Sequence, residues 1–206
     1  MNRKILSFLL VLALAAGCVP AFAEDAVSSA TVDIDSFPVL PEREDARVLV
    51  IYFSTDDTVK AVALTAAEAL EADVFEIVPE QPYTDADLAY YTNCRADLEQ
   101  NDSSARPAVA AWPGSLEQYD VIFLGYPIWH GQAPKILYTL LEGVDISGKT
   151  IVPFCTSASS GAGSSASNLE KATNGASWLQ AARIDNHSTA EQIRSWALAA
   201  LAEAAE

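Results

Sequence analysis

The chain has 206 residues, room for one domain plus extensions but little for two. Its 28 acidic against 12 basic residues give a formal charge of −16, which argues against nucleic acid as a partner because phosphates would be repelled. Half the residues are apolar and 19% charged, so the chain is not disordered; three cysteines are too few for a disulfide scaffold, and no Cys/His spacing resembles a zinc site.

Residues 1–23 carry Arg3 and Lys4, then an apolar run from Ile5 to Ala16, and no acidic residue. This reads as a secretory signal peptide, too short to span a bilayer comfortably. Two cleavage readings stay open. Ala21-Phe22-Ala23 fits ordinary signal peptidase, whereas Ala15-Ala16-Gly17-Cys18 reads as a lipobox that would lipidate Cys18 and tether the protein to a membrane. Either way the chain is expected to be exported. Residues 24–45, with their Asp, Glu and Pro, read as an acidic linker, and 46–206 as one domain.

From Val48 to Phe53 the chain is continuously apolar and rich in β-branched residues, as in a strand buried on both faces of a parallel sheet. Val59, Val62, Ala63, Ala66 and Leu70 then fall on one helical face. Val74–Val78, Val121–Tyr126 and Thr150–Cys155 are further strands, and Trp178–Ile184 is a weaker fifth. Pro134 opens a helix through Leu141. Ser188-Thr189-Ala190-Glu191 reads as a capping box before a last helix with Ile193, Trp196, Ala197, Ala200 and Leu201 on one face. The alternation predicts an α/β fold with a doubly wound parallel sheet.

In such sheets ligands bind beyond the carboxyl ends of the strands. The loops there read Ser54-Thr55-Asp56-Asp57-Thr58, then Pro127-Ile128-Trp129-His130-Gly131, then Thr156-Ser157 through Ser160-Gly161 to Gly163. The first runs into a helix start, the usual setting for an anion, though such a cluster is also the usual helix cap. The second offers aromatics, and the third brings small residues and backbone N–H groups close to a flat ligand.

Together these segments resemble the flavodoxin-like family. The likeness rests on Tyr52-Phe53-Ser54 with Thr58 and Lys60-Ala61-Val62-Ala63, on Gly125-Tyr126-Pro127-Ile128-Trp129, and on Pro153-Phe154-Cys155-Thr156-Ser157. Tyr83 to Leu88, Glu99-Gln100-Asn101-Asp102 and Ala105-Arg106-Pro107 resemble the insert of one subgroup. The resemblance implies a five-stranded sheet in the order 2-1-3-4-5 and FMN as ligand. Ser54, Thr55 and Thr58 would hold the phosphate. Tyr126, Ile128, Trp129 and His130 would flank the isoalloxazine, with Pro127 and Gly131 of the same loop also in the cofactor site, and Thr156, Ser157, Ser160, Gly161 and Gly163 would meet its polar edge. The implied activity is electron transfer to a redox partner or reduction of a small acceptor such as a quinone. The flavin supplies that chemistry, so no catalytic triad or metal is expected.

The first loop departs from the family's usual Ser-x-Thr-Gly-x-Thr: Asp56 and Asp57 replace the Thr and Gly, and Val59 the last Thr. Two carboxylates where a phosphate docks oppose it, so riboflavin becomes an alternative ligand. A non-redox module with a decayed phosphate loop becomes an alternative function. Against that stands the reading that Asp56 or Asp57 caps the helix and points into water. His130 reads as a ring neighbour and Cys155 as a packed thiol. A Cys94–Cys155 bridge is permitted by export without being indicated. Ser160 has no triad context for a hydrolase.

Overall fold

The computed structural model describes residues 47–89 and 93–205, all within one compact unit, Leu40–Glu206. The leader, the linker, Cys18, Tyr90 and Tyr91 lie outside the described residues.

The elements alternate as the apolar pattern requires. β1 (Val48–Tyr52), α1 (Asp57–Leu70), β2 (Asp73–Glu76) and α2 (Arg95–Asn101) are followed by β3 (Val121–Pro127) and α3 (Lys135–Gly143). β4 (Thr150–Thr156), α4 (Ser165–Lys171), β5 (Ser177–Trp178), β6 (Ala182–Ile184) and α5 (Ala190–Glu203) complete the chain. The strands form one parallel sheet in the order β2-β1-β3-β4-β5, with β6 also on β4. This is the expected 2-1-3-4-5 order. α4 carries too short an apolar pattern to have been anticipated.

Side-chain alternation along the strands divides the core into two layers. Leu49, Ile51 and Phe53 of the first strand segment, with Ile122, Leu124 and Tyr126 of β3, meet Ile136, Leu137 and Leu140 of α3 and Leu169 of α4 on one face. Val48, Val50 and Tyr52, with Val121, Phe123, Val152 and Phe154, meet Val59, Val62 and Ala66 of α1 and Ile193, Ala197 and Ala200 of α5 on the other. The rings of Phe123 and Phe154 both meet Trp196 edge-on, with centroids 5.8 and 5.4 Å away. That is a favoured aromatic geometry.

The expected fifth strand is broken, and Pro153 supplies the reason. Leu179 N–H donates to the Ile151 carbonyl at 3.0 Å, so residue 151 faces the edge strand; by the period of two, so does residue 153. Proline brings no N–H to that ladder. Ile151 pairs with Trp178 and Cys155 with Arg183, so four steps on β4 oppose five on the edge, a one-residue bulge.

The last helix is capped one residue later than expected. Thr189 accepts from Gln192 N–H at 3.2 Å, and the Gln192 side chain accepts from Thr189 N–H at 2.8 Å. Ser188 and Glu191 satisfy the same sequence spacing but are not the pair used. Both Cys94 and Cys155 are free thiols, so no bridge joins them. Burial pushes the Cys155 thiol up to about 11.

Candidate functional site

All strands are parallel, so the loops after β1, β3 and β4 emerge at the same edge of the sheet, and they meet there. Ile128 N–H donates to the Thr156 carbonyl at 3.1 Å. The Phe53 and Trp129 rings meet edge-on at 5.5 Å. A Cβ on Gly163 would lie 3.7 Å from the Gly131 carbonyl oxygen.

The loop after β3 closes as a two-residue hairpin. Trp129 N–H donates to the Gln132 carbonyl and Gln132 N–H to the Trp129 carbonyl, each at 2.9 Å. The central residues, His130 and Gly131, have φ of +49° and +74°, as such a turn demands. Glycine takes that conformation freely, and histidine is among the few other residues found there.

This hairpin is held by the insert between β2 and β3. The insert begins and ends as a short antiparallel pairing: Glu80 N–H donates to the Ala108 carbonyl at 2.9 Å and Ala110 N–H to the Val78 carbonyl at 2.8 Å. Within it, Gln100 of α2 spans the feet of the hairpin. Its Nε2 donates to the Trp129 and Ala133 carbonyls at 3.0 and 3.2 Å, and its Oε1 accepts from Lys135 N–H at 3.1 Å. Asp97, one turn earlier, is only 5% exposed, and its Oδ1 lies 2.7 Å from His130 Nε2. A buried carboxylate needs such a partner.

Tyr83 adds an aromatic wall. Its ring meets Trp129 at 5.2 Å and Phe53 at 6.1 Å, both edge-on. Its hydroxyl donates to Glu99 Oε2, Arg95 Nε donates to Glu99 Oε1 at 2.7 Å, and the Arg95 guanidinium lies 4.3 Å from the Tyr83 ring centroid. Burial first, then the bond to Glu99, raises the Tyr83 phenol above its ordinary value. A cleft of about 220 Å³ runs beside this wall, past Phe53, Ser54, Thr55 and Glu76.

The first loop is built differently. Asp56 is the N-cap of α1, and its Oδ1 accepts Thr58 N–H at 2.9 Å. Ser54 donates its hydroxyl to the Asp56 carbonyl. Asp57 stands exposed in the first helical turn, where negative charge is favoured by the helix dipole. Lys60 does not offset them locally, since its Nζ is 3.7 Å from Glu76 Oε2. The carboxylates thus provide from within the chain the acceptor and the charge that a phosphate would bring.

Of the remaining sequence-predicted residues, Pro127, Ile128, Trp129 and His130 are half-buried, while Gly131, Ser160, Gly161 and Gly163 are exposed along the opposing loop. Ser157 is tied to Ser160 by bonds of 2.8 and 3.1 Å. Two residues are placed in the core. Thr156 ends β4 in a buried position, and Tyr126 is 0% exposed with its hydroxyl 3.1 Å from Ser165 Oγ. Tyr126 therefore gives no open ring face to a ligand and is corrected to a core residue; strand alternation with Ile122 and Leu124 was the signal for it. Asp97 and Gln100 were missed as site residues, because their contacts join segments about 30 residues apart.

The ring side has what a flat ligand requires: a half-buried Trp129 in a hairpin whose Gly131 carbonyl meets Gly163 of the opposing loop, where the residues are small and open space lies at Gly161. The phosphate side fits less well, because Thr58 N–H is already engaged.

A doubly wound parallel sheet with its binding loops gathered at the strand ends defines a class of ligand-binding α/β proteins. Within that class, a flavodoxin family model matches residues 47–199, and the chain belongs to the flavodoxin family. No curated protein matches. Among solved structures, it is similar to a protein from Bacteroides eggerthii DSM 20697 provisionally described as a flavoprotein. The two share 37% identity over 76% of this chain and 99% of that one, with a TM-score of 0.71. A second such protein, from Bacteroides uniformis ATCC 8492, has 36% identity over 74% and 97%, with a TM-score of 0.70. The fold is also similar to a flavoprotein from Lactobacillus acidophilus NCFM solved in complex with FMN. That likeness has 20% identity over 67% of this chain and 93% of the other, and a TM-score of 0.57.

Proposed function

We propose that this chain is an exported flavin-binding protein that carries electrons or reduces a small acceptor. The observation that carries the reading is the Trp129 hairpin, fixed from the insert by Gln100 and Asp97 and set against the small residues of the 157–163 loop at Gly163. Trp129, Ile128 and His130 would bound the isoalloxazine, Ser157 to Gly163 would meet its polar edge, and Ser54, Thr55 and Thr58 would hold an FMN phosphate. Bound flavin supplies reversible one- and two-electron chemistry; the chain's residues bind, orient and exclude water from it.

Asp56 bears on which flavin is taken. Its carboxylate holds the Thr58 N–H that a phosphate would use, so FMN gains little over riboflavin. The same observation favours a second reading, a flavodoxin-fold module that binds no flavin and serves a non-redox role. Titration of flavin-free protein with FMN and riboflavin, followed by flavin fluorescence, separates them. Saturable quenching by either flavin supports the redox reading, and no response to both supports the second. Fractionation of the producing bacterium tests export, and palmitate labelling of Cys18 tests the tether.

A further inference from the structure

The break in the edge strand leaves a second cleft. Where Pro153 interrupts the ladder, residues 179–181 separate β5 from β6, and a cleft of about 460 Å³ opens between this bulge and α4. Its volume falls within the range of about 300–1,000 Å³ typical of small-molecule sites. Bulges recur beside active sites because they redirect side chains out of the ladder.

The cleft adjoins the flavodoxin loops. Gly163 lines it and also abuts the Gly131 carbonyl of the hairpin, so a single residue stands between the two. Arg183, also in the lining, donates through Nη2 to the Ser157 carbonyl at 2.9 Å. The remaining lining sets the ligand's chemistry. Trp178 provides an aromatic wall, while Gly163, Ala166 and Ala181 leave room for a flat body. Gln180 and Arg183 bring N–H donors for carbonyl oxygens. Arg183 is paired with Asp185 at 3.7 Å, Glu170 adds a carboxylate to the lining, and the chain's charge of −16 further disfavours anions.

We propose that this cleft binds a neutral, flat aromatic dicarbonyl compound of the naphthoquinone class. As the place of the acceptor it rests on the flavin reading above; as a binding site it rests on the cleft alone.

The probe is 2,3-dimethyl-1,4-naphthoquinone, whose blocked ring carbons prevent addition of thiols such as Cys94. It is titrated calorimetrically into the full chain, flavin-free and flavin-saturated, with flavin affinity measured separately. One quinone per chain is expected in both forms. Ser167→Phe, at an exposed position of α4, should fill the cleft and weaken quinone binding at least tenfold, with flavin affinity and melting temperature unchanged. Gln180→Ala should weaken it several-fold. Quinone binding untouched by both substitutions overturns the proposal. So does displacement of quinone by flavin, or no quinone binding by a chain that binds flavin. Cleft-dependent quinone binding by a chain that takes no flavin would instead sustain the site and remove the flavin reading.

Discussion

The hairpin after β3 and the loop after β1 stand at the same edge of one sheet but are held by opposite means. The hairpin depends on distant chain: Gln100 and Asp97 reach it from α2, and Phe53 and Tyr83 pack on Trp129. The first loop is satisfied within five residues, Ser54 to the Asp56 carbonyl and Asp56 to Thr58 N–H. A loop positioned from outside keeps its surface for a ligand. A loop that satisfies its own donors has already spent the groups an anion would use.

The strongest way to break that contrast is Trp129→Ala. Loss of stacked apolar surface should weaken flavin binding by about 1–3 kcal/mol, roughly five- to 150-fold. Unchanged affinity in a fluorescence titration would make Trp129 a packing residue only. Gln100→Ala comes next. It removes the donor to the Ala133 carbonyl, the acceptor of Lys135 N–H and one of the two donors to the Trp129 carbonyl, which keeps its bond from Gln132 N–H. The cost should be about 1–3 kcal/mol of stability in denaturant unfolding, and flavin affinity should fall with it. Gln100→Glu keeps the acceptor for Lys135 N–H but sets a carboxylate oxygen against the Trp129 and Ala133 carbonyls, and should weaken binding at least as much. An affinity insensitive to both would show that the hairpin holds its shape alone.

On the other loop, Asp56→Thr with Asp57→Gly should strengthen FMN binding several-fold and leave riboflavin unchanged. Thr retains the cap while two exposed, salt-screened charges are removed. Equal effects on both flavins would mean that the carboxylates act on loop shape rather than on the phosphate.

The smallest effect concerns pH. Tyr83 and Tyr126 are raised above the ordinary tyrosine value, burial being the first cause, so the native state favours their neutral forms. Their contribution is complete below the unfolded value of about 10 and is lost as pH rises beyond it. Melting temperature should decline above that pH, and Tyr83→Phe should decline less steeply. A parallel decline would remove Tyr83 as a cause.

The sheet was legible in the sequence because each central strand is an unbroken apolar run, and α1 and α5 because their apolar faces recur at helical spacing. What escaped depends on pairing between strands. Pro153 is visible in the sequence, but its effect falls on a neighbouring strand whose register the sequence does not display. The cap of α5 was ambiguous because Ser188 with Glu191 and Thr189 with Gln192 obey one spacing, and only geometry selects between them. For the site, the loops were legible as glycine, hydroxyl and aromatic segments at strand ends. Gln100 and Asp97 were not, since nothing local distinguishes a helix residue that reaches another loop from one that faces water.

The insert leaves the sheet and returns to it at nearly the same point, since Ala110 bonds back to Val78. Such an excursion is portable. A lineage could lose residues 79–109 and close the gap with a short turn, leaving every pairing of the parallel sheet in place. What would go is the scaffolding of one hairpin, so the insert's gain or loss would remake the ligand's surroundings while the fold passed unaltered from ancestor to descendant.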